Sequence, residues 1–295
     1  MSDYINIIKE SYSGYWKYLK QEILLQGDWA NFFYGLIVIS LIVFILELFF
    51  PWRKDQPVLR KDFWLDTFYM FVNFFLLNLV FIIALSNLAD AVVNDVLGLV
   101  GLELSQFQIV DTSGWAKPLA LLTFFVVADF VQWNGHRLLH RVPFLWNFHK
   151  VHHSVKQMGF AAHLRYHWME PIVYKSLLYI PLAVFGNFSA HDLAIVHFTA
   201  ISIGHLNHAN IGWSYGPLKK IFNNPKMHIW HHAKHLPEKW RYGVNYGISL
   251  SLWDYLFGTH YIPGDGRDIE LGFDGDENFP ESFVEQELYP LSRKE

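Results

Sequence analysis

The chain contains no cysteine, which removes disulfides, thiolate zinc sites and iron–sulfur clusters from consideration. Charge is scarce too: Asp, Glu, Lys and Arg make up 17% of the 295 residues, against roughly 25% in an average soluble protein. There is no basic arm and no nucleic-acid motif, and a net charge of −4 excludes nucleic acid as an expected partner. The segment 86–116 has neither Lys nor Arg. The first thirty residues lack the compact apolar core of a cleavable signal peptide, so none is expected. Repeats and low-complexity tracts are also missing.

What is present in excess is apolar sequence and histidine. Hydrophobic residues reach 52%, with twelve Trp, a side chain that settles at membrane–water boundaries. Phe32 to Phe50 is almost unbroken apolar sequence, with one charge at Glu47, and matches the roughly 20 residues needed to cross a bilayer as a helix. Phe63 to Leu85, carrying Asp66, reads as a second span, and Lys117 to Trp133, interrupted by Asp129, as a third. Two shorter runs, Pro171–Phe185 and Leu193–Leu206, flank Gly186-Asn187-Phe188-Ser189 and read as a helical hairpin or a partial entry into the bilayer. The expected fold is all-α: an integral membrane helical bundle under a cytoplasmic helical cap.

Charge bias orients that bundle. Arg53, Lys54, Arg60 and Lys61 lie between the first two spans, and Arg137, Arg141, Lys150, Lys156 and Arg165 follow the third. The positive-inside rule makes both stretches cytoplasmic. Lys9, Lys17 and Lys20 run against it, though Glu10 and Glu22 accompany them. Three regions result: 1–116 with two spans and a non-cytoplasmic loop, 117–262 with the third span, hairpin and histidines, and 263–295, an acidic, loop-like tail.

Sixteen histidines are present, and thirteen fall between 136 and 235 once His191 and His197 are set aside. They form blocks: His136-x3-His140, His149-x2-His152-His153, His205-x2-His208 and His228-x2-His231-His232. Residues three and four apart share a helix face, with Cβ atoms roughly 5–6 Å apart, so imidazoles so spaced can close on one metal ion. Two independent H-x2-H-H blocks would arise by chance in about one such chain in a thousand. Histidines gathered at the ends of apolar spans are costly unless paired or bound. One ion with an open position takes three or four protein ligands, so nine strong candidates, eight from the three best blocks plus His208, imply two ions. His205 and His235 are further candidates. His163 and His167 read as supporting groups, His191 and His197 as structural or interfacial, His260 as surface. Asp129, two helical turns before His136, together with Glu170 and Asp254, can orient ligands or simply pack.

Imidazole suits zinc, copper, iron and nickel alike. A paired-iron oxygenase, a two-zinc hydrolase, a haem protein and a metal carrier therefore compete. The hydrolase needs a carboxylate base, but no H-E-x-x-H is present. Haem is disfavoured because the histidines crowd span ends rather than the spans themselves. A carrier would place polar residues through the bilayer's middle, and few are there.

The order of these blocks and their flanks resembles the fatty acid hydroxylase and sterol desaturase superfamily. The carrying residues are Leu145-Trp146-Asn147-Phe148 before His149, Ser154, Leu164-Arg165-Tyr166-His167 with Glu170, His208-Ala209-Asn210-Ile211-Gly212, and Gly216-Pro217-Leu218. Asn223 to His228, Asn245-Tyr246-Gly247 and Trp253 to Thr259 complete them. The resemblance covers about 120–260, and its spacing is similar to that of alkylglycerol monooxygenase and its bacterial relatives. It implies a di-iron centre, which zinc can occupy in purified members, held by His136, His140, His149, His152, His153, His208, His228, His231 and His232. It further implies O2 as co-substrate, a lipid substrate, hydroxylation or desaturation as the reaction, and a separate electron donor (a reductase, cytochrome or ferredoxin).

Overall fold

The computed structural model describes residues 4–26, 31–77, 83–103, 106, 108–185 and 188–292. Among these no β-strand occurs, only isolated bridges such as Pro51 with Ile211 and Ala233 with Leu271. Helix α1 (Tyr4–Ile23) is followed by α2 (Phe32–Phe49), whose first turn is capped by Asn31 accepting from the Tyr34 amide at 2.9 Å. Its apolar length matches the hydrocarbon core, and its one charge is spent inside the protein. Glu47 Oε1 accepts from the Phe160 and Asn210 amides at 2.9 and 2.7 Å, tying the end of α2 to the histidine-bearing cap.

Helix α3 (Phe63–Phe71) widens into a π-type turn over Val72–Leu76. The expected span to Leu85 lies partly outside the described residues. The expected loop after it begins as a helix, α4 (Ile83–Leu99), which packs along α1. Asp66 near the start of the second run is buried between the guanidinium groups of Arg60 (2.7 Å) and Arg165 (3.1 Å). A carboxylate there is tolerable because it is paired.

Helix α5 (Lys117–Arg141) starts with Pro118 in its first turn and runs 25 residues, beyond the expected end at Trp133, carrying His136 and His140 on its last turns. Among the described residues two helices, α2 and α5, are long and apolar enough to cross a membrane, and Phe63–Leu76 is a shorter apolar helix. Val142 breaks the chain, and α6 (Pro143–His153) carries the first triple-histidine block. The later apolar runs form α7 (Met169–Phe185) and α8 (Ala190–His208), the latter started by a reciprocal Ser189–Asp192 capping box. The expected turn residues Gly186 and Asn187 lie outside the described residues.

Helix α9 (Pro225–His231), capped by Asn224, carries His228 and His231 of the second triple block, with His232 at its C-cap, and α10 (Leu252–Leu256) follows. The tail departs from expectation: it ends in α11 (Phe283–Ser292), which packs on α6. Phe279, Phe283 and Tyr289 bury against Tyr69, Val151 and Phe273, apolar contacts that an acidic composition conceals. At its start Ser282 Oγ accepts from the Glu285 amide at 3.4 Å and donates to the Glu285 carboxylate at 2.7 Å.

Candidate metal centre

Nine histidines from α5, α6, α8 and α9 converge in two adjoining groups. His136, His140, His149, His153 and His231 form the first, and His152, His208, His228 and His232 the second. Within each group the candidate ligand atoms lie within 4.8 Å of one another. One spacing rule sorts them. Every i, i+4 pair stays together (136 with 140, 149 with 153, 228 with 232), while the intervening i+3 ring, His152 or His231, crosses to the other group. Both triple blocks are therefore shared between the two sites, and α6 and α9 bridge them.

The outer nitrogens decide what the inner ones can do. His136 Nδ1 meets the Tyr246 carbonyl at 2.8 Å and His149 Nδ1 the Glu170 carboxylate at 2.8 Å. In the second group, His152 Nδ1 meets the Arg165 carbonyl at 3.0 Å and His208 Nδ1 the Gly204 carbonyl at 2.8 Å. His231 Nδ1 likewise meets the Val244 carbonyl at 2.8 Å. Carbonyls only accept, so His136, His152, His208 and His231 carry the proton on Nδ1 and present a lone pair at Nε2.

In the first group His136 Nε2 lies 3.2 Å from His149 Nε2, and in the second the lone pairs of His152 Nε2 and His208 Nε2 face each other at 3.3 Å. Two lone pairs at that distance repel unless a cation lies between them. His140 Nε2 is buried with no hydrogen-bond partner at all. Nitrogens held about 2.0–2.1 Å from one ion sit about 2.8–3.4 Å apart at tetrahedral or octahedral angles. The observed spacings, including 3.1 Å between His153 and His231 and 3.0 Å between His208 and His228, fall in that range. The donor set fits two metal ions.

Burial, reinforced by neighbouring rings, holds His149, His153, His228, His231 and His232 well below the ordinary imidazole pKa. Burial likewise lowers His152 to about 3. These rings are neutral at physiological pH, the state a metal requires.

Residues 121–259 match the fatty acid hydroxylase family model. This stretch belongs to that family. Over 180 residues (61% of the chain, 53% of the relative) the protein is 35% identical to the ornithine lipid hydroxylase OlsE of Rhizobium tropici. It is 30% identical to human alkylglycerol monooxygenase over 49% of the chain and 31% of that protein. With methylsterol monooxygenase erg25B of Aspergillus fumigatus the identity is 22%, but the alignment covers 89% of the chain and 87% of the relative. The chain spans about half the length of the Rhizobium relative it matches and under a third of the human one. No solved structure matches it.

All nine converging histidines lie inside the fatty acid hydroxylase region; the other candidates scatter. His205 belongs to neither group: its Nδ1 meets His163 Nδ1 at 2.8 Å and its Nε2 meets Ser40 Oγ at 3.1 Å. His235 is 68% exposed and pairs with Glu270, so it is a surface residue rather than a ligand. His167 turns to the C-terminal helix, with its Nε2 on the Glu287 carbonyl at 2.7 Å. His260 stacks on Tyr255, and His197 lies against Phe32 and Phe74.

Asp129 holds no histidine; it accepts from the Ser249 and Leu250 amides and the Trp253 indole, because backbone donors reach it first. Asp254 acts one step away. It takes the Tyr246 and Gly247 amides at 2.9 and 2.7 Å, fixing the residue whose carbonyl holds His136. Of the four non-ligand candidates, only Glu170 touches a converging ring. The carbonyls of Tyr246, Val244, Arg165 and Gly204 escape sequence reasoning altogether, since any residue supplies a carbonyl.

Two cavities flank this layer and share no residue. A vestibule of about 490 Å³ is walled by His140, His153 and His231, by Trp146, and by Arg141 and Arg241. An apolar chamber of about 560 Å³ lies within the helical bundle, lined by residues such as Phe74, Phe124, Ala128, Gln132, Leu178 and Ala200.

Proposed function

We propose that this chain is a membrane-bound oxygenase in which nine histidines hold two iron ions to hydroxylate, or desaturate, a C–H bond of a lipid. The observation that carries the reading is the convergence of nine buried histidines in two groups, with the His152 and His208 lone pairs facing each other at 3.3 Å, beside a chamber suited to hydrocarbon. Five rings would hold one ion and four the other. When bound, a pair of irons supplies the reduction of dioxygen and the oxidising power to break an unactivated C–H bond.

The chain's own residues do the rest. The Tyr246, Val244, Arg165 and Gly204 carbonyls keep protons on the outer nitrogens of His136, His231, His152 and His208, so the inner nitrogens of these four rings stay free to bind. The chamber between α5, α7 and α8 takes the apolar part of the lipid. Gln132 lies on its wall one helical turn before His136, which sets hydrocarbon close to the histidines. The vestibule on the other face joins the centre to water, the side from which a separate electron donor and protons would reach it. Basic loops at 51–62 and 136–169 favour a cytoplasmic location for that face. The names of the matched relatives, all hydroxylases or monooxygenases, agree with oxygen chemistry.

The hydrolase reading lacks a base on the inner side of the rings: Asp129 is committed to amides and an indole, and Glu170 lies behind His149, on its outer Nδ1. The deciding experiment combines metal analysis of purified protein with oxygen uptake under a reductant, alongside lipid profiles of cells with and without the gene. Two irons per chain, oxygen consumption and a lipid lacking one hydroxyl or double bond in the deleted strain are expected. Lipid hydrolysis without oxygen demand would overturn the proposal.

A further inference from the structure

The nine rings lie within 121–259, but part of what aims them comes from outside it. Segment 165–170 serves both histidine groups at once. The Arg165 carbonyl accepts from His152 of the second group at 3.0 Å, and Glu170 Oε2 is hydrogen-bonded to His149 Nδ1 of the first at 2.8 Å. Between them the Glu170 amide donates to the His167 carbonyl at 2.9 Å, so the two anchors move as one piece. Every ring angle that depends on this segment depends on what pins it.

The C-terminal helix pins it. His167 accepts the Met169 amide on Nδ1 at 3.1 Å, so its proton sits on Nε2, which donates to the Glu287 carbonyl at 2.7 Å. The Trp168 amide donates to Glu287 Oε2 at 3.1 Å. His167 and Glu287 are both buried. Helix α11 is in turn fixed by Tyr69, whose hydroxyl donates to Gln286 Oε1 at 3.0 Å, and by the packing of Phe283 on Tyr69 and Tyr289 on Phe279. From the opposite side, Asp62 and Asp66 grip the Arg165 guanidinium. The segment is thus braced by chain that precedes and follows the family-matching stretch.

We propose that Glu287 is a positioning residue of the metal centre: it holds segment 165–170 where that segment can aim one ligand of each histidine group. The inference rests on the metal reading above. Losing the acceptor frees Trp168, lets 165–170 shift, and slackens His149 and His152 together. Supporting groups around metal ligands typically contribute about 10–100-fold in metal affinity, and Glu287 acts through one further link, so the lower end applies.

The test measures bound metal in the purified full-length chain and its rate of release to EDTA. Glu287→Ala is expected to release metal about tenfold faster than wild type and to weaken both sites. Glu287→Gln, whose amide oxygen still accepts from Trp168, is expected to release it at the wild-type rate. Leu288→Ala, on the exposed side of the same helix, serves as the control. Should Glu287→Ala fail to accumulate, Glu287→Met fills the same volume without an acceptor and makes the same comparison. Wild-type release from Glu287→Ala or Glu287→Met, or equal loss from Glu287→Gln, overturns the inference. Wild-type protein that binds no metal instead overturns the proposed function itself.

Discussion

The two histidine groups are built from the same blocks, yet they face different surroundings. The first lends three rings, His140, His153 and His231, to the wall of the vestibule; the second lends none to it. The first has five rings and a carboxylate, Glu170, behind one of them. The second has four, and its outer nitrogens at His152 and His208 rest on backbone carbonyls alone. The difference teaches that the sites are not interchangeable. The first opens on a cavity lined by charged side chains, while two rings of the second are oriented by main-chain carbonyls.

The largest expected effect comes from deleting one ring on each side. His231→Ala should strip the first ion and His152→Ala the second, leaving about one metal per chain in each case and turnover below detection, while the protein still inserts into the membrane. Metal analysis and the oxygen assay check both halves. Normal turnover in both variants would sink the dimetal reading, whereas loss of both ions from either variant would merge the two sites into one cooperative unit.

Next in size are changes behind the rings. Glu170→Ala removes the hydrogen-bond partner of His149 Nδ1 and should weaken the first site about 10–100-fold. Its counterpart is Gly204→Ala. A Cβ there would lie 2.1 Å from His163 Nε2, so His163 or the end of α8 must move, and the Gly204 carbonyl that holds His208 moves with it. The second site alone should weaken, by about tenfold. Chelator titrations of the two variants, read side by side, would blur the comparison if they came out identical.

A smaller effect concerns the apolar chamber. Ala200→Phe places a ring in its wall; overpacking costs about 1–3 kcal/mol where the wall resists, but here the ring enters open volume. The metal content should hold, and the apparent KM for the lipid should rise several-fold with kcat changed less. An unchanged KM would show that the substrate's hydrocarbon lies elsewhere.

Much of this centre was readable from residue spacing. The i, i+4 pairs in α5, α6 and α9 announce ligands because helix geometry fixes them. That His152 and His231 cross between groups was not readable, since it depends on how α6 and α9 are turned toward each other. His205 illustrates the converse: three residues from His208 on the same helix, it turns to Ser40 and His163 because α2 packs there. Composition misled at the tail, where buried Phe279 and partly buried Phe283 and Tyr289 outweigh the surrounding acids. Asp129 has helical spacing to His136, yet it answers to amides 120 residues away, a tertiary fact with no local trace.

The smallest effect, and the one that would sharpen the comparison most finely, is with pH. Burial depresses His152 to about 3 and His149 and His153 well below the ordinary imidazole value, whereas in the unfolded chain such rings take protons near about 6.5. Below that pH the unfolded state binds more protons than the folded one, so the stability these rings contribute is present above about 6.5 and declines as the pH falls toward their folded values. Within the folded protein, protons do not compete for the inner nitrogens over the same interval. Metal content should therefore stay level from about pH 7.5 to 5.5 while the melting temperature begins to fall below about 6.5. Should metal leave with a midpoint near 6.5, the rings are open to water rather than buried. If one ion leaves before the other, the vestibule predicts that it is the one held by His140, His153 and His231.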